Sequence, residues 1–249
     1  MSQLPSGRDL IFRRLRPLLF ALAAAGVSLV GVAPSASVAA ASGSPPACTY
    51  QDVPAKNAAY KNWNLTMLDT IYMVPKSYVP PDLVPTAKAG LKGGVVRSFV
   101  ITDLTAMANA ARMADDGLRV ISAYRSWSTQ QYLYKREVAN WGPKVGPQRV
   151  ARPGHSEHQL GVAIDFGSAD TNKLSWQYND WAQTAAGAWM VHNAWKFGFI
   201  LSYPKGKSPS VTCYIYEPWH YRYVGRDTAA KVHASGLTLR EYLWKHYAS

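Results

Sequence analysis

The chain has 249 residues, 48% of them hydrophobic, and its 27 Lys and Arg against 15 Asp and Glu give a formal net charge of +12. The positive residues are scattered, with no Lys/Arg run past the N-terminal segment, which disfavours a nucleic-acid binder; the charge argues for a partner of opposite sign, which for an exported protein would be acidic wall polymers or an anionic lipid surface. No apolar segment after Val32 is long enough to span a bilayer, which excludes a membrane-embedded domain.

Arg8, Arg13, Arg14 and Arg16 precede an apolar run from Leu18 to Val32, and the small residues Ser35 to Ala41 follow. Basic, then apolar, then small is the order of a secretory signal peptide, expected over residues 1–39 with Ser37-Val38-Ala39 as the cleavage site. An uncleaved anchor is the alternative, but the run is 15 residues, short of the roughly 20 a spanning helix needs. Either reading places the domain outside the cytoplasm, in the cell wall or periplasm. Cleavage leaves 210 residues, enough for one domain with a sizeable core, and loss of four Arg and one Asp lowers the charge to +9.

Residues 40–95 read as an irregular N-terminal arm, with seven prolines from Pro45 to Pro85 and a short helix near Trp63 to Asp69. Cys48 lies in it; Cys213 is the other cysteine. Export removes the reducing environment that keeps thiols apart, so a Cys48–Cys213 bridge is expected rather than free thiols or a lipid-modified Cys48.

Residues 96–249 carry the regular patterns. Ile101-Thr102-Asp103 can cap a helix on which Leu104, Met107, Ala108 and Ala111 recur at helical spacing to about Ala114. Leu118 to Ala123 reads as a buried strand, Ser128 to Asn140 as a second helix, and residues 141–157 as a Gly/Pro-rich loop. In a strand over Gly161 to Phe166, alternation puts Val162, Ile164 and Phe166 on one face and Asp165 on the other, beside Gly161 and Ala163. A long helix from Asn179 to Phe197 ends at Gly198, strands follow at Phe199–Tyr203, Val211–Tyr216 and Tyr221–Val224, and helices at Arg226–Ala234 and Thr238–His246 close the chain. Scattered strands without β-α-β alternation indicate an α+β domain, a small and mainly antiparallel sheet packed with helices.

Two segments hold chemistry. Ser156-Glu-His-Gln-Leu-Gly-Val-Ala-Ile-Asp165 and Glu217-Pro-Trp-His220 supply two imidazoles and a carboxylate, the donor types of a catalytic zinc site, and a spare carboxylate. His158 and Asp165 are seven apart and would oppose each other in one strand, so His158 must lie in the loop before it, with Gly161 permitting the bend. Pro218 breaks strand pairing, and a bend across Pro218-Trp219 can aim Glu217 and His220 at one metal. Each pair alone is as readily a structural contact. His155, His192, His233 and His246 read as structural histidines, and Trp127, Trp141 and Trp219, near the motifs, are candidates to line a cleft.

Ser156-x-His158-x2-Gly161-x-Ala163-x-Asp165 followed by Glu217-x2-His220 resembles the zinc D-alanyl-D-alanine carboxypeptidases of the VanY type, a peptidase family that includes D,D-dipeptidases and some phage endopeptidases. Ser122-Ala-Tyr-Arg125-Ser-Trp-Ser-Thr-Gln130 looks like that family's substrate-binding segment, and the likeness runs from about Leu118 to Gly225. The resemblance implies a D,D-peptidase/hedgehog-like fold, one Zn2+ held by His158, Asp165 and His220, Glu217 as general base and then acid, and Arg125 facing negative charge, either the substrate's terminal carboxylate or the developing oxyanion. Gln130 and Ser156 would hydrogen-bond the peptide. It also implies that the enzyme removes the terminal D-alanine from peptidoglycan stem peptides; secretion is expected from the N-terminal segment, and a monomer is expected. The alternatives are an L,D-carboxypeptidase or endopeptidase of the same material, or a non-catalytic, zinc-stabilised wall-binding module; the retained Glu217 argues against the last.

Overall fold

The structure, a computed structural model, describes residues 43–207 and 209–247; the expected signal peptide lies outside the described residues. No helix among the described residues is long and apolar enough to cross a membrane. Short strands β1 (Val53–Pro54) and β2 (Tyr72–Met73) pair in parallel, and β3 (Leu83–Pro85) and β4 (Val95–Arg97) pair antiparallel. Helix α1 (Val100–Met113) leads to β5 (Leu118–Ser122), followed by α2 (Trp127–Arg149) and β6 (Ala163–Ser168). Then come α3 (Ala185–Asn193), β7 (Phe199–Leu201), the single turn α4 (Pro209–Thr212), β8 (His220–Tyr223), α5 (Arg226–Ser235) and α6 (Leu239–Tyr247). The central sheet runs β5-β6-β8-β7, antiparallel throughout, as the α+β reading expects.

The apolar face of α1 (Leu104, Met107, Ala108, Ala111) packs in one cluster with Ile164 and Phe166 of β6 and Tyr221 and Tyr223 of β8. Burying Phe166 alone contributes about 1.5–3 kcal/mol. A second cluster, with Val232, Leu239 and Leu243, seats α5 and α6 against Met67 and Ile200. The irregular arm shares the main core through Leu68, Val74, Tyr78 and Leu91. It is tied down by two ion pairs at 2.7 Å, Arg97 Nε to Asp82 and Arg240 Nε to Asp69. No helix forms at Trp63 to Asp69; a 3-10 turn at Tyr60–Asn62 precedes it, and Asp69 Oδ1 instead accepts from the Ile71 and Tyr72 amides, which holds an extended turn.

Four further expectations need correction. Residues 141–157 are not all loop: Gly142, at φ +79°, breaks α2, and Pro143 restarts it at a first-turn position that needs no amide donor. The restarted segment folds back so closely that a Cβ at Gly146 would stand 2.7 Å from the Val138 Cα. The Asn179–Phe197 helix is broken into α3 flanked by 3-10 turns, because the Asp180 and Thr184 side chains cap separate starts at Ala182 and Gly187. No strand forms at Val211–Tyr216: α4 ends at Thr212, and Cys213 after it, with φ of +67°, turns the chain away. Asp103 does not cap α1 but lies in its first turn, where it accepts from Tyr223 Oη and Arg226 Nε.

Cys48 and Cys213 are bridged, with Cα atoms 5.2 Å apart across 165 residues. Cross-linking so long a loop contributes up to about 5 kcal/mol in the chain-entropy model, usually less. Replacing both cysteines by alanine should lower Tm by about 10 °C in a thermal scan, and an unshifted Tm would show that the bridge adds no stability.

Candidate metal and peptidase site

Pairing of β6 with β8 sets Asp165 directly opposite His220, so a carboxylate and an imidazole meet across the sheet on one face. His158 arrives from a 3-10 turn, Glu157–Leu160, that stops at Gly161 in the left-handed conformation (φ +73°). A Cβ there would stand 2.9 Å from Leu83 and 3.0 Å from Arg97, so both the turn and the packing require glycine. The Glu217 carbonyl accepts from the His220 amide at 3.1 Å, a tight turn with Pro218 at its second position that brings both side chains to one side. The bends expected at Gly161 and Pro218 are both present.

Hydrogen bonds decide which ring nitrogens are free. His158 Nδ1 lies 2.7 Å from the Ala123 carbonyl, which only accepts, so Nδ1 carries the proton and Nε2 keeps its lone pair. Nε2 is buried without a hydrogen-bond partner and sits 3.2 Å from Asp165 Oδ2. His220 Nε2 lies 2.9 Å from Glu157 Oε2 and donates to it, which turns Nδ1 toward Asp165 Oδ1 at 3.0 Å. One ligand atom from each of His158, Asp165 and His220 therefore lies within 4.8 Å of the others, all three residues buried. Two neutral-capable imidazoles, a carboxylate and an orphaned buried nitrogen fit a zinc ion.

The electrostatics agree with that donor set. Burial, helped by the nearby Arg125 charge, lowers His158 to about 4 and holds it neutral. Burial alone would lower His220, but its bonds to Asp165 and Glu157 outweigh it and raise the ring to about 10; a cation held at Nδ1 would take the place of that proton. Burial would also raise Asp165, yet His158, His220 and Arg125 hold it well below the usual carboxylate range. Glu217 is the exception. Burial pushes it up to about 7, and the charge of His220 only partly offsets this. Its carboxylate stands 4.0 Å from His220 Nδ1 and accepts no hydrogen bond among the described residues.

Arg125 Nη2 donates to Asp165 Oδ2 at 3.1 Å and Nη1 to Gln130 Oε1 at 3.1 Å. Gln130 is fully buried, and its own amide donates to the Ala151 carbonyl at 2.7 Å, so it braces Arg125. Ser156 and His158 line a pocket of about 40 Å³ with Tyr203, Glu217 and His220. A cavity of about 330 Å³ opens beside it, bordered by Arg125, Asp165, Glu217, Trp176 and Trp219. Trp219 thus lines the cleft as expected, whereas Trp127 borders a different depression with Tyr134 and Arg152. His155 is structural, held between the Asp69 carbonyl and Asp52. His233 stacks on Trp195 at 4.2 Å, and His192 is exposed.

Sequence reasoning missed Glu157, although it stands between two motif residues. It is buried and bonds His220 Nε2, Ser202 Oγ and Arg222 Nη1, the last a fully buried guanidinium at 3.0 Å. Burial would raise its carboxyl, but Arg222 and His220 pull it down to about 2. Glu157→Gln should weaken zinc affinity about 10- to 100-fold by loosening His220. It should also lower Tm, since Arg222 loses its anion. Unchanged affinity in a chelator competition would show that Glu157 serves the fold alone.

A family model described as D-alanyl-D-alanine carboxypeptidase, VanY, matches residues 94–226. Bacillus subtilis (strain 168) YodJ, named as a carboxypeptidase, is 36% identical over 187 residues, 73% of this chain and 67% of that protein. A D-alanyl-D-alanine carboxypeptidase of Enterococcus faecium is 30% identical over 190 residues, 72% of this chain and 57% of that one. This chain thus spans between about half and two thirds of the length of its curated relatives. Among solved structures, the LdcB LD-carboxypeptidase superposes with a TM-score of 0.65 at 35% identity, covering 74% of this chain and 88% of that one. The vancomycin-resistance D,D-pentapeptidase VanY, in complex with Zn(II), gives 0.61 at 31%, covering 73% and 99%.

Proposed function

Because the chain belongs to the VanY family of D-alanyl-D-alanine carboxypeptidases, we propose that it removes the terminal D-alanine from peptidoglycan stem peptides outside the cytoplasm. Its ligands are His158, Asp165 and His220, and the cofactor is zinc. Bound there, the ion supplies Lewis acidity, acidifying water and polarising a carbonyl. Glu217 stands next to the ligand cluster, 4.0 Å from His220 Nδ1 and without a hydrogen bond to its carboxylate among the described residues, placed to take a proton from the attacking water and return it to the leaving amine. Arg125, braced by Gln130 and tied to Asp165, meets the charge that develops on the scissile carbonyl oxygen, and its buried Nε has a donor to spare. Ser156 lines the same pocket, within reach of the peptide.

The observation that carries this reading is the spare carboxylate of Glu217 beside a three-ligand cluster at the floor of a cleft. A site built only to hold metal for stability has no use for it. Extracytoplasmic action rests on the N-terminal basic-apolar-small order and on the Cys48–Cys213 bridge. The likeness to LdcB favours a second reading, L,D-cleavage of a tetrapeptide. Incubating a synthetic pentapeptide and tetrapeptide with protein and zinc, and following products by mass spectrometry, separates the two. Release of D-alanine from the pentapeptide supports the first reading; cleavage of the tetrapeptide alone supports the second. Two intact peptides would refute both.

A further inference from the structure

We propose that Arg149 reads the free C-terminal carboxylate of the substrate, an assignment that rests on the carboxypeptidase reading above. Arg149 closes α2 and lines both the cleft and the small pocket at the metal ligands, so it stands where the two spaces meet. Its guanidinium lies 4.3 Å from the Trp141 ring centroid, a contact that fixes the plane of the group and satisfies none of its donors. Nε is buried with no hydrogen-bond partner, and the side chain makes no ion pair among the described residues.

The neighbouring cations of the cleft are committed. Arg125 is bound to Asp165 and Gln130, and Arg136 is paired with Glu137 at 3.1 Å. Of these three arginines Arg149 therefore has neither a hydrogen bond nor an ion pair among the described residues, although its charge also acts on Glu217, and a buried donor left unpaired is costly until an anion arrives. A carboxypeptidase substrate brings that anion one residue beyond the scissile bond, hence within a few ångströms of the reacting carbonyl. With Arg125 facing the carbonyl oxygen through its link to Asp165, the carboxylate falls to Arg149. A planar fork fixed by Trp141 suits two parallel bonds to a carboxylate, which a lysine cannot reproduce.

The test compares a D-Ala-D-Ala-terminated pentapeptide with its C-terminal amide, using the full zinc-loaded chain and its Arg149→Met and Arg149→Lys variants. Wild type should favour the free acid. Arg149→Met should lower kcat/KM on the acid about 10- to 100-fold, mainly through KM, so that the acid-to-amide ratio falls toward one. Arg149→Lys should recover part of the preference. An equal loss on both peptides, or a ratio that survives in Arg149→Met, overturns the assignment. Calorimetric binding of acetyl-D-Ala-D-Ala and its amide gives an independent reading: discrimination lost in Arg149→Met supports the assignment, and discrimination retained overturns it. A wild-type protein that binds the acid selectively but cleaves neither peptide would sink the carboxypeptidase reading while leaving Arg149 its role.

Discussion

Glu217→Ala should keep one zinc per chain and lose turnover by about 10³-fold or more, roughly 4 kcal/mol of transition-state stabilisation. Zinc should stay because the proposed ligand atoms belong to His158, Asp165 and His220, and the turn that aims His220 is a backbone bond from its amide to the Glu217 carbonyl, which alanine preserves. Stability should not fall. The Glu217 side chain is half-buried, accepts no hydrogen bond among the described residues and is pushed up to about 7 by desolvation, so removing it relieves that cost and gives up only the 4.0 Å pairing with His220. Three readouts on one variant thus separate catalysis from folding: metal content by mass spectrometry, Tm, and D-alanine release from a defined pentapeptide. Near-normal release would remove Glu217 as base and acid. Loss of metal would make it a fourth ligand instead.

Asp165→Asn should have the larger effect on the metal. The substitution keeps shape and removes charge, and three partners depend on that charge: His158 Nε2 at 3.2 Å, His220 Nδ1 at 3.0 Å and Arg125 Nη2 at 3.1 Å. Zinc affinity should fall by more than the roughly 10- to 100-fold that an outer contact such as Glu157 costs, and activity should vanish with it. Arg125 keeps Gln130 but loses its anion, so its guanidinium should loosen as well. Competition with a chromophoric chelator measures the affinity; adding excess zinc tests whether activity returns. An Asn variant that binds zinc as tightly as wild type would exclude Asp165 from the ligand set.

The contrast between Glu217 and Glu157 shows how a carboxylate's task depends on what it touches. Both stand beside His220, Glu157 buried and Glu217 half-buried. Glu157 is saturated by Arg222, Ser202 and His220 and held as an anion, which makes it a brace. Glu217 is bonded to none of them and faces the cleft, which leaves it free to exchange a proton.

Much of the ligand set was legible because its determinants are local. The period-2 alternation of Gly161 to Phe166 put Asp165 opposite the core face of its strand, and Gly161 and Pro218 announced the two bends that the odd spacing of the ligands demands. Other features were hidden because their partners are remote in the chain. Arg222 reads as one alternating residue of a strand, and nothing around it in sequence reveals that it meets Glu157, 65 residues away. Arg149 sat in a stretch that its glycines and prolines marked as loop, yet Pro143 restarts a helix there and delivers the side chain to the cleft. The Asn179–Phe197 stretch misled for the opposite reason: its apolar content is helical, but two side-chain caps cut it into pieces.

The linear chain by itself determined the donor types, their order and the turns that free them, since these follow from residue chemistry and backbone limits within a few positions. Only the tertiary structure decided which nitrogen of each histidine is free, which carboxylate is braced and which is spare, and which arginine is left without an anion. Those outcomes depend on distances between segments up to 65 residues apart, and distance through space is what a buried charge feels.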